Sequence, residues 1–214
     1  MQRKTTLRLM PLGGSITYGV GSSAGNGYRE FLRDLLIRQG YNINLVGSRK
    51  SGSMSNNDNE GWRGYRLDHI KNRSRRSVST LLPEVFMINA ESNDCIQNFQ
   101  IHNFGERMNN MFEFFWQICP HSTVILSTLL INADENVNLR VLHVNSQIRN
   151  LVELKTAEKQ KILLADMYSF EGPQLNDLVD GTHPNDEGYR KMAGIWAKAI
   201  RKAQTAGFLT DVNK

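Results

Sequence analysis

Leu7-Arg8-Leu9-Met10-Pro11-Leu12-Gly13-Gly14-Ser15-Ile16-Thr17 runs from a mostly apolar segment straight into two glycines and a serine. Leu7 to Leu12 reads as a buried first strand. Gly13 and Gly14 stop that strand and allow a sharp turn that side chains would block. Ser15 then stands at the carboxyl end of a strand, where open α/β sheets place their ligands. Two readings of Ser15 stay open on this stretch alone. It is either a nucleophile or a turn serine bonded to its own backbone.

Outward from this turn, strand and helix patterns alternate five times. Gly21 to Gly27 is a glycine- and serine-rich loop, and Tyr28, Phe31, Leu32, Leu35 and Leu36 recur at helical spacing before a stop at Gly40. Asn42 to Val46 is a second strand. Gly47 to Asn59 is polar, without a period, and reads as a mobile surface loop leading into the site. Leu67 to Leu82 is helical, Val85 to Asn89 is the third strand, and Met108, Met111, Phe112, Phe115 and Trp116 stripe the next helix. Thr123 to Leu130 is the fourth strand, followed by a helix lined by Val141, Val144, Ile148, Leu151 and Val152. Ile162 to Ala165 is the fifth strand. Tyr189, Met192, Ala193, Trp196 and Ile200 line the last helix, with Asn185 as its cap and Asp186 and Glu187 in its first turn. This alternation predicts one domain over residues 1–214, a three-layer α/β/α fold with a flavodoxin-like five-stranded parallel sheet.

Near the far end, Asp180-Gly181-Thr182-His183-Pro184 precedes that last helix. An Asp and a His three residues apart in such a loop place a carboxylate against an imidazole. The carboxylate fixes the tautomer and stabilises the protonated ring, while the other ring nitrogen faces a serine. The serine is not in an α/β-hydrolase elbow, since Thr17 stands where G-x-S-x-G requires glycine.

Together these stretches resemble the SGNH (GDSL-type) hydrolases, and most of all the fungal branch related to acetyl xylan esterases of carbohydrate esterase family 3. Four family blocks occur in order: Pro11 to Gly19 with the serine, Glu60 to Arg66, Ala90 to Asp94, and Asp180 to Pro184. The resemblance implies the same three-layer fold and a catalytic triad of Ser15, Asp180 and His183. It also implies an oxyanion hole formed by Ser15, Gly64 and Asn93. Two positions depart from the family pattern, Gly14 where Asp is usual and Glu91 where Gly is usual. A carboxylate beside the oxyanion hole would oppose the developing charge, and a glycine at 14 loosens the serine turn. Two functions follow: a serine esterase for short-chain, acetyl-type esters, with carbohydrate esters among its substrates, or a catalytically weakened relative that binds carbohydrate or acts as a scaffold. Tyr18, Trp62, Arg63 and Tyr65 flank the blocks and could form an aromatic, polar rim suited to a sugar. Trp62 and Tyr65 read equally well as packing residues.

The 214 residues are 40% hydrophobic, enough for a sizeable core, and no apolar run approaches the roughly 20 residues of a membrane span. The net charge is +5, with Lys71, Arg73, Arg75 and Arg76 clustered on one helix. No nucleic-acid motif accompanies them, so a solvated helix face is the expected reading, with no nucleic acid and no membrane as partner. Cys95 and Cys119 fall at opposite ends of the sheet in this layout and are not expected to pair. His69, His102, His121 and His143 show no ligand spacing, so neither a metal nor a cofactor is expected. Met1 to Thr6 has a basic start but no apolar h-region, so no signal peptide is expected from it. Relatives of this type are often secreted and Asn72-Arg73-Ser74 is a sequon, so the compartment stays open between extracellular and cytoplasmic. The expected partner is a small-molecule or carbohydrate ester, and the expected state a monomer.

Overall fold

Apolar runs of five or six residues without alternation are what a strand needs when both faces of its sheet are covered. The computed structural model describes residues 6–90 and 92–209, and it uses the runs in this way. The strands are β1 (Leu7–Gly13), β2 (Ile43–Leu45), β3 (Arg49–Lys50), β4 (Asp58–Gly61), β5 (Val85–Asn89), β6 (Thr123–Ser127) and β7 (Ile162–Ala165). The helices are α1 (Ser15–Tyr18), α2 (Tyr28–Arg38), α3 (Leu67–Leu81), α4 (Ser92–Ile96), α5 (Phe104–Ile118), α6 (Glu135–Ala157) and α7 (Asp186–Thr205).

The five expected strands are present, side by side in the order β2-β1-β5-β6-β7 and all parallel. β1 is central, with Leu9 to Gly13 registered on Val85 to Asn89. Along each strand alternate residues enter different cores. Leu9, Val85, Met87 and Ile125 pack with α2 and α7, whereas Met10, Leu12, Phe86, Ile88, Val124 and Leu126 pack with α3, α5 and α6. Phe86 stacks on Phe115 of α5 with ring centroids 4.2 Å apart. Burying such a side chain contributes about 1.5–3 kcal/mol. The apolar stripes read from the sequence on α2, α5, α6 and α7 are the faces that close these cores.

Gly47 to Asn59 differs from the expected surface loop. It holds β3, antiparallel to β4, and β4 runs parallel to the end of β1 at Leu12↔Glu60 and Gly13↔Gly61. β2 pairs with the beginning of the same edge, at Leu7 to Leu9. Asn59 and Glu60 are fully buried. Hydrogen bonds, beside the packing of Met54 on the α2 and α7 core, hold this segment. The Asn56 amide accepts from Leu45 N and donates to Leu45 O, and Asn59 Nδ2 donates to Ser51 Oγ at 3.0 Å. The Arg29 guanidinium of α2, itself fully buried, donates to the carbonyls of Tyr18, Gly25, Ser51 and Asn57 at 3.0–3.2 Å.

Candidate active site

Three loops meet at the carboxyl end of β1 and β5. Gly13 ends β1 so close to β5 that a Cβ there would lie 1.9 Å from the Asn89 carbonyl oxygen, which only glycine tolerates. Ser15 opens α1, a single turn closed by Gly19 at φ +102°. Tyr189 of α7 reaches under this turn and donates from its hydroxyl to Val20 O at 2.5 Å, with Ile16 O 3.2 Å away. The serine turn is thus tied to the last helix.

The Asp180 to His183 loop is folded on its own carboxylate. Asp180 Oδ1 accepts from the backbone N–H groups of Thr182 at 3.0 Å and His183 at 2.8 Å. Gly181 supplies the left-handed conformation, φ +82°. Asp180 Oδ2 lies 2.7 Å from His183 Nδ1, and His183 Nε2 lies 2.7 Å from Ser15 Oγ. With the proton on Nδ1 donated to Asp180, Nε2 accepts from the serine hydroxyl. Partial burial pushes the Asp180 carboxyl up. The His183 and Thr182 bonds outweigh it and hold the carboxyl below its ordinary range. Asp180 is 52% exposed, so water screens its charge and orientation is its main contribution. Beneath the loop, Asn132 Nδ2 donates to Thr182 Oγ1 at 2.9 Å and Ala133 N donates to Gly181 O at 2.9 Å. Asn185 caps α7 as expected, accepting from Gly188 N at 2.9 Å.

Gly64 sits at φ +76° in the loop between β4 and α3, and a Cβ there would meet nothing within 4 Å. Trp62 N donates to Gly13 O at 2.9 Å, which fastens this loop to the end of β1. Asn93, in α4, donates from Nδ2 to the Tyr65 carbonyl at 3.0 Å, leaving its second amide hydrogen for another acceptor. Nδ2 is also the nearest atom, at 3.5 Å, to where a Cβ on Gly14 would stand. The structure therefore brings Ser15, His183, Asp180, Gly64 and Asn93 to one end of the sheet. Glu91 lies outside the described residues.

Sequence reading assigned no role to the groups that hold these loops in place. Asp94, next to Asn93, is buried and accepts from Leu67 N at 3.0 Å and from Arg107 Nη2 at 2.7 Å. Burial pushes its carboxyl up, against the pull of Arg107 and the Leu67 N–H. Arg107 also binds Asp68 at 2.8 Å. The position of Asp94 inside a family block was the available signal. The buried Arg29 offered none.

Trp62 and Tyr65 do what the packing reading requires and keep part of their surface in solvent. They stack with centroids 5.6 Å apart and pack against the core, while remaining partly exposed. Arg63 is exposed, 5.8 Å from the half-buried Tyr18 ring.

Residues 12–191 match the GDSL-like lipase/acylhydrolase family, well over half of the chain. The chain belongs to that family. Among solved structures, this GDSL-like fold is similar to a Clostridium thermocellum family 3 carbohydrate esterase. The TM-score is 0.84 at 24% identity, covering 94% of this chain and 99% of the other. A family 3 carbohydrate esterase from Talaromyces cellulolyticus aligns with a TM-score of 0.80 at 21% identity, over 93% and 99% of the two chains. An acetyl esterase mutant solved with an acetate ion gives a TM-score of 0.81 at 20% identity, over 94% and 99%. The fold is thus the SGNH hydrolase fold. A multidomain esterase of Ruminococcus flavefaciens is 25% identical over 91% of this chain, which spans 28% of that protein's length.

Proposed function

We propose that this GDSL-like protein is a serine esterase that removes short acyl groups, acetyl above all, from carbohydrate esters. The chain of 2.7 Å contacts from Ser15 through His183 to Asp180 carries the reading. Ser15 Oγ attacks the ester carbonyl as its proton passes to His183 Nε2. The Ser15 N–H, the Gly64 N–H and the free Asn93 amide hydrogen stabilise the oxyanion, each such donor being typically worth about 2.7–4 kcal/mol. Collapse of the intermediate breaks the bond to the alcohol, which leaves with the proton from His183. Water then attacks the acyl-Ser15 ester, giving its proton to His183. The carboxylic acid departs and Ser15 regains its hydrogen.

The space beside the nucleophile supports a small acyl group. The recess lined by Gly14, Ser15, Ile16, Asn89, Ser92 and Asn93 measures about 10 Å³. That is room for one group the size of a water or a methyl. Carbohydrate as the alcohol is supported by the fold shared with family 3 carbohydrate esterases and by the aromatic, polar rim at Trp62, Arg63, Tyr65 and Tyr18. The complete Ser-His-Asp contact favours turnover over the scaffold reading.

A series of p-nitrophenyl esters of increasing chain length tests both parts. The acetate should be turned over fastest and the Ser15→Ala variant should be inactive with little change in melting temperature. Retained turnover in Ser15→Ala sinks the nucleophile, and a preference for long chains sinks the acyl assignment.

A further inference from the structure

Two guanidinium groups lie against the aromatic pair beside Gly64, and a third lies over the Tyr18 ring. Arg49 of β3 lies 4.7 Å from the Trp62 ring, Arg73 of α3 lies 5.4 Å from Trp62 and 5.8 Å from Tyr65, and Arg63 lies 5.8 Å from Tyr18. Among the described residues none of the three makes an ion pair, and the acidic groups of the neighbouring elements are committed elsewhere. Glu60 is buried and accepts from Ser48 and from the Trp62 indole N–H. Asp58 faces Lys50 at 3.9 Å, and Asp68 holds Arg107.

Stacking occupies the face of a guanidinium and leaves its in-plane N–H groups available. Arg73 directs one of them at the Tyr65 hydroxyl, 3.4 Å away. Beside it, Gly64, Tyr65, His69, Asn72 and Arg73 line a cleft of about 490 Å³, the size of a small-ligand site. The cleft begins at Gly64, whose N–H faces the oxyanion in the reaction above. A group seated in it therefore belongs to the molecule whose ester is being cut.

We propose that this cleft binds a carboxylate on the alcohol side of the ester, so that the substrate class is an acetylated acidic oligosaccharide. The planar fork of an arginine matches a carboxylate with two parallel hydrogen bonds. A neutral sugar would accept hydrogen bonds from these groups but would gain no pairing of opposite charges. The net charge of +5 further favours approach of a polyanionic chain. The substrate class rests on the esterase reading, but binding of the carboxylate does not, and the test separates them.

Binding is measured by titration calorimetry on the Ser15→Ala protein, with an unesterified galacturonic acid trimer and with the same trimer after reduction of its carboxyl groups. At low salt the acid should bind about tenfold more tightly, the scale of one hydrogen bond to a charged group. The preference should vanish near roughly 1 M salt, where the Debye length is about 3 Å. Adding Arg73→Gln should bring the two ligands within about twofold. Adding Arg75→Gln instead should leave the preference intact, since Arg75 is on the same helix but lies over Phe114. Equal or undetectable binding of the two trimers overturns the proposal, as does an equal loss with Arg75→Gln, which would reduce the effect to net charge. Absence of p-nitrophenyl acetate hydrolysis by the unsubstituted protein would overturn the esterase reading, while carboxylate binding in the cleft would still stand or fall on the calorimetry.

Discussion

Asp94→Ala should damage the protein twice, once in stability and once in rate. The Asp94 and Arg107 side chains are 2% and 9% exposed and meet at 2.7 Å. Removing one member of such a buried pair costs about 3–5 kcal/mol, because the other charge is left without compensation. Asp68 stays on Arg107 and moderates the loss. The Leu67 N–H, deprived of its acceptor at the start of α3, adds to it. At about 2–4 °C per kcal/mol for a chain of this size, the melting temperature should fall by roughly 6–20 °C. The rate should fall as well. Asn93 adjoins Asp94, and Gly64 lies shortly before Leu67, so one carboxylate sets the spacing of the two groups proposed above as oxyanion donors. Losing one donor costs about 10²–10³ in kcat. Asp94→Asn keeps an acceptor for Leu67 and a neutral bond to Arg107, and should cost only about 1–2 kcal/mol. Circular-dichroism melts and p-nitrophenyl acetate kinetics on both variants make the test. An Asp94→Ala protein melting within about 3 °C of the parent refutes the energetic reasoning. One that is destabilised but keeps its full kcat refutes the link to the oxyanion donors.

Gly64→Ala should cost about 1–2 kcal/mol in urea titration through the left-handed backbone alone, since its Cβ meets no neighbour; parent-like stability would contradict this. Gly14→Asp should leave the melting temperature nearly unchanged: its Cβ has room, with the nearest atoms 3.5 Å and 4.0 Å away, but ψ of −145° lies outside the broad β region and offsets the gain of about 0.4–1 kcal/mol from a stiffer unfolded chain. A lowered melting temperature would show that the serine turn requires glycine at 14. Asp180 has its carboxyl held below the ordinary value near 3.9 in the folded state. Its stabilisation is therefore present above about pH 4 and lost as pH falls through the folded value. The Asp180→Asn protein should lose less melting temperature than the parent between about pH 5 and pH 3, and equal losses would remove Asp180 as a contributor.

The sheet and its layers were legible because a strand covered on both faces needs an unbroken apolar run, and Val85 to Asn89 and Ile162 to Ala165 are such runs. The α7 boundary was legible from Asn185, whose side chain does what a cap must. The Asp180, His183 and Ser15 grouping could be read because loop chemistry needs particular residue types at short spacing. Gly47 to Asn59 was not legible, since its partners are distant. Arg29 and Leu45 satisfy it, and Asn and Ser side chains stand in for strand pairing. A polar stretch without a period looks the same whether its hydrogen bonds end on water or on a buried arginine. The Asp94–Arg107 pair was hidden for the same reason, because pairing of α4 with α5 leaves no periodic trace.

The tie between the serine turn and α7 also sets an order in time. Ser15 is made early, while His183 follows 168 residues later, a wait of roughly ten to thirty seconds at ordinary rates of synthesis. Until α7 arrives, Tyr28, Leu9, Met87 and Ile125 lack much of their covering layer, and Tyr189 is not yet there to hold the turn at Val20. On the proposed mechanism, the serine turn reaches its final setting only as the last helix docks and closes that face of the sheet. A chain cut before Asp186 would carry Ser15, Asp180 and His183 but lack the Tyr189 tie that holds the serine turn to the last helix.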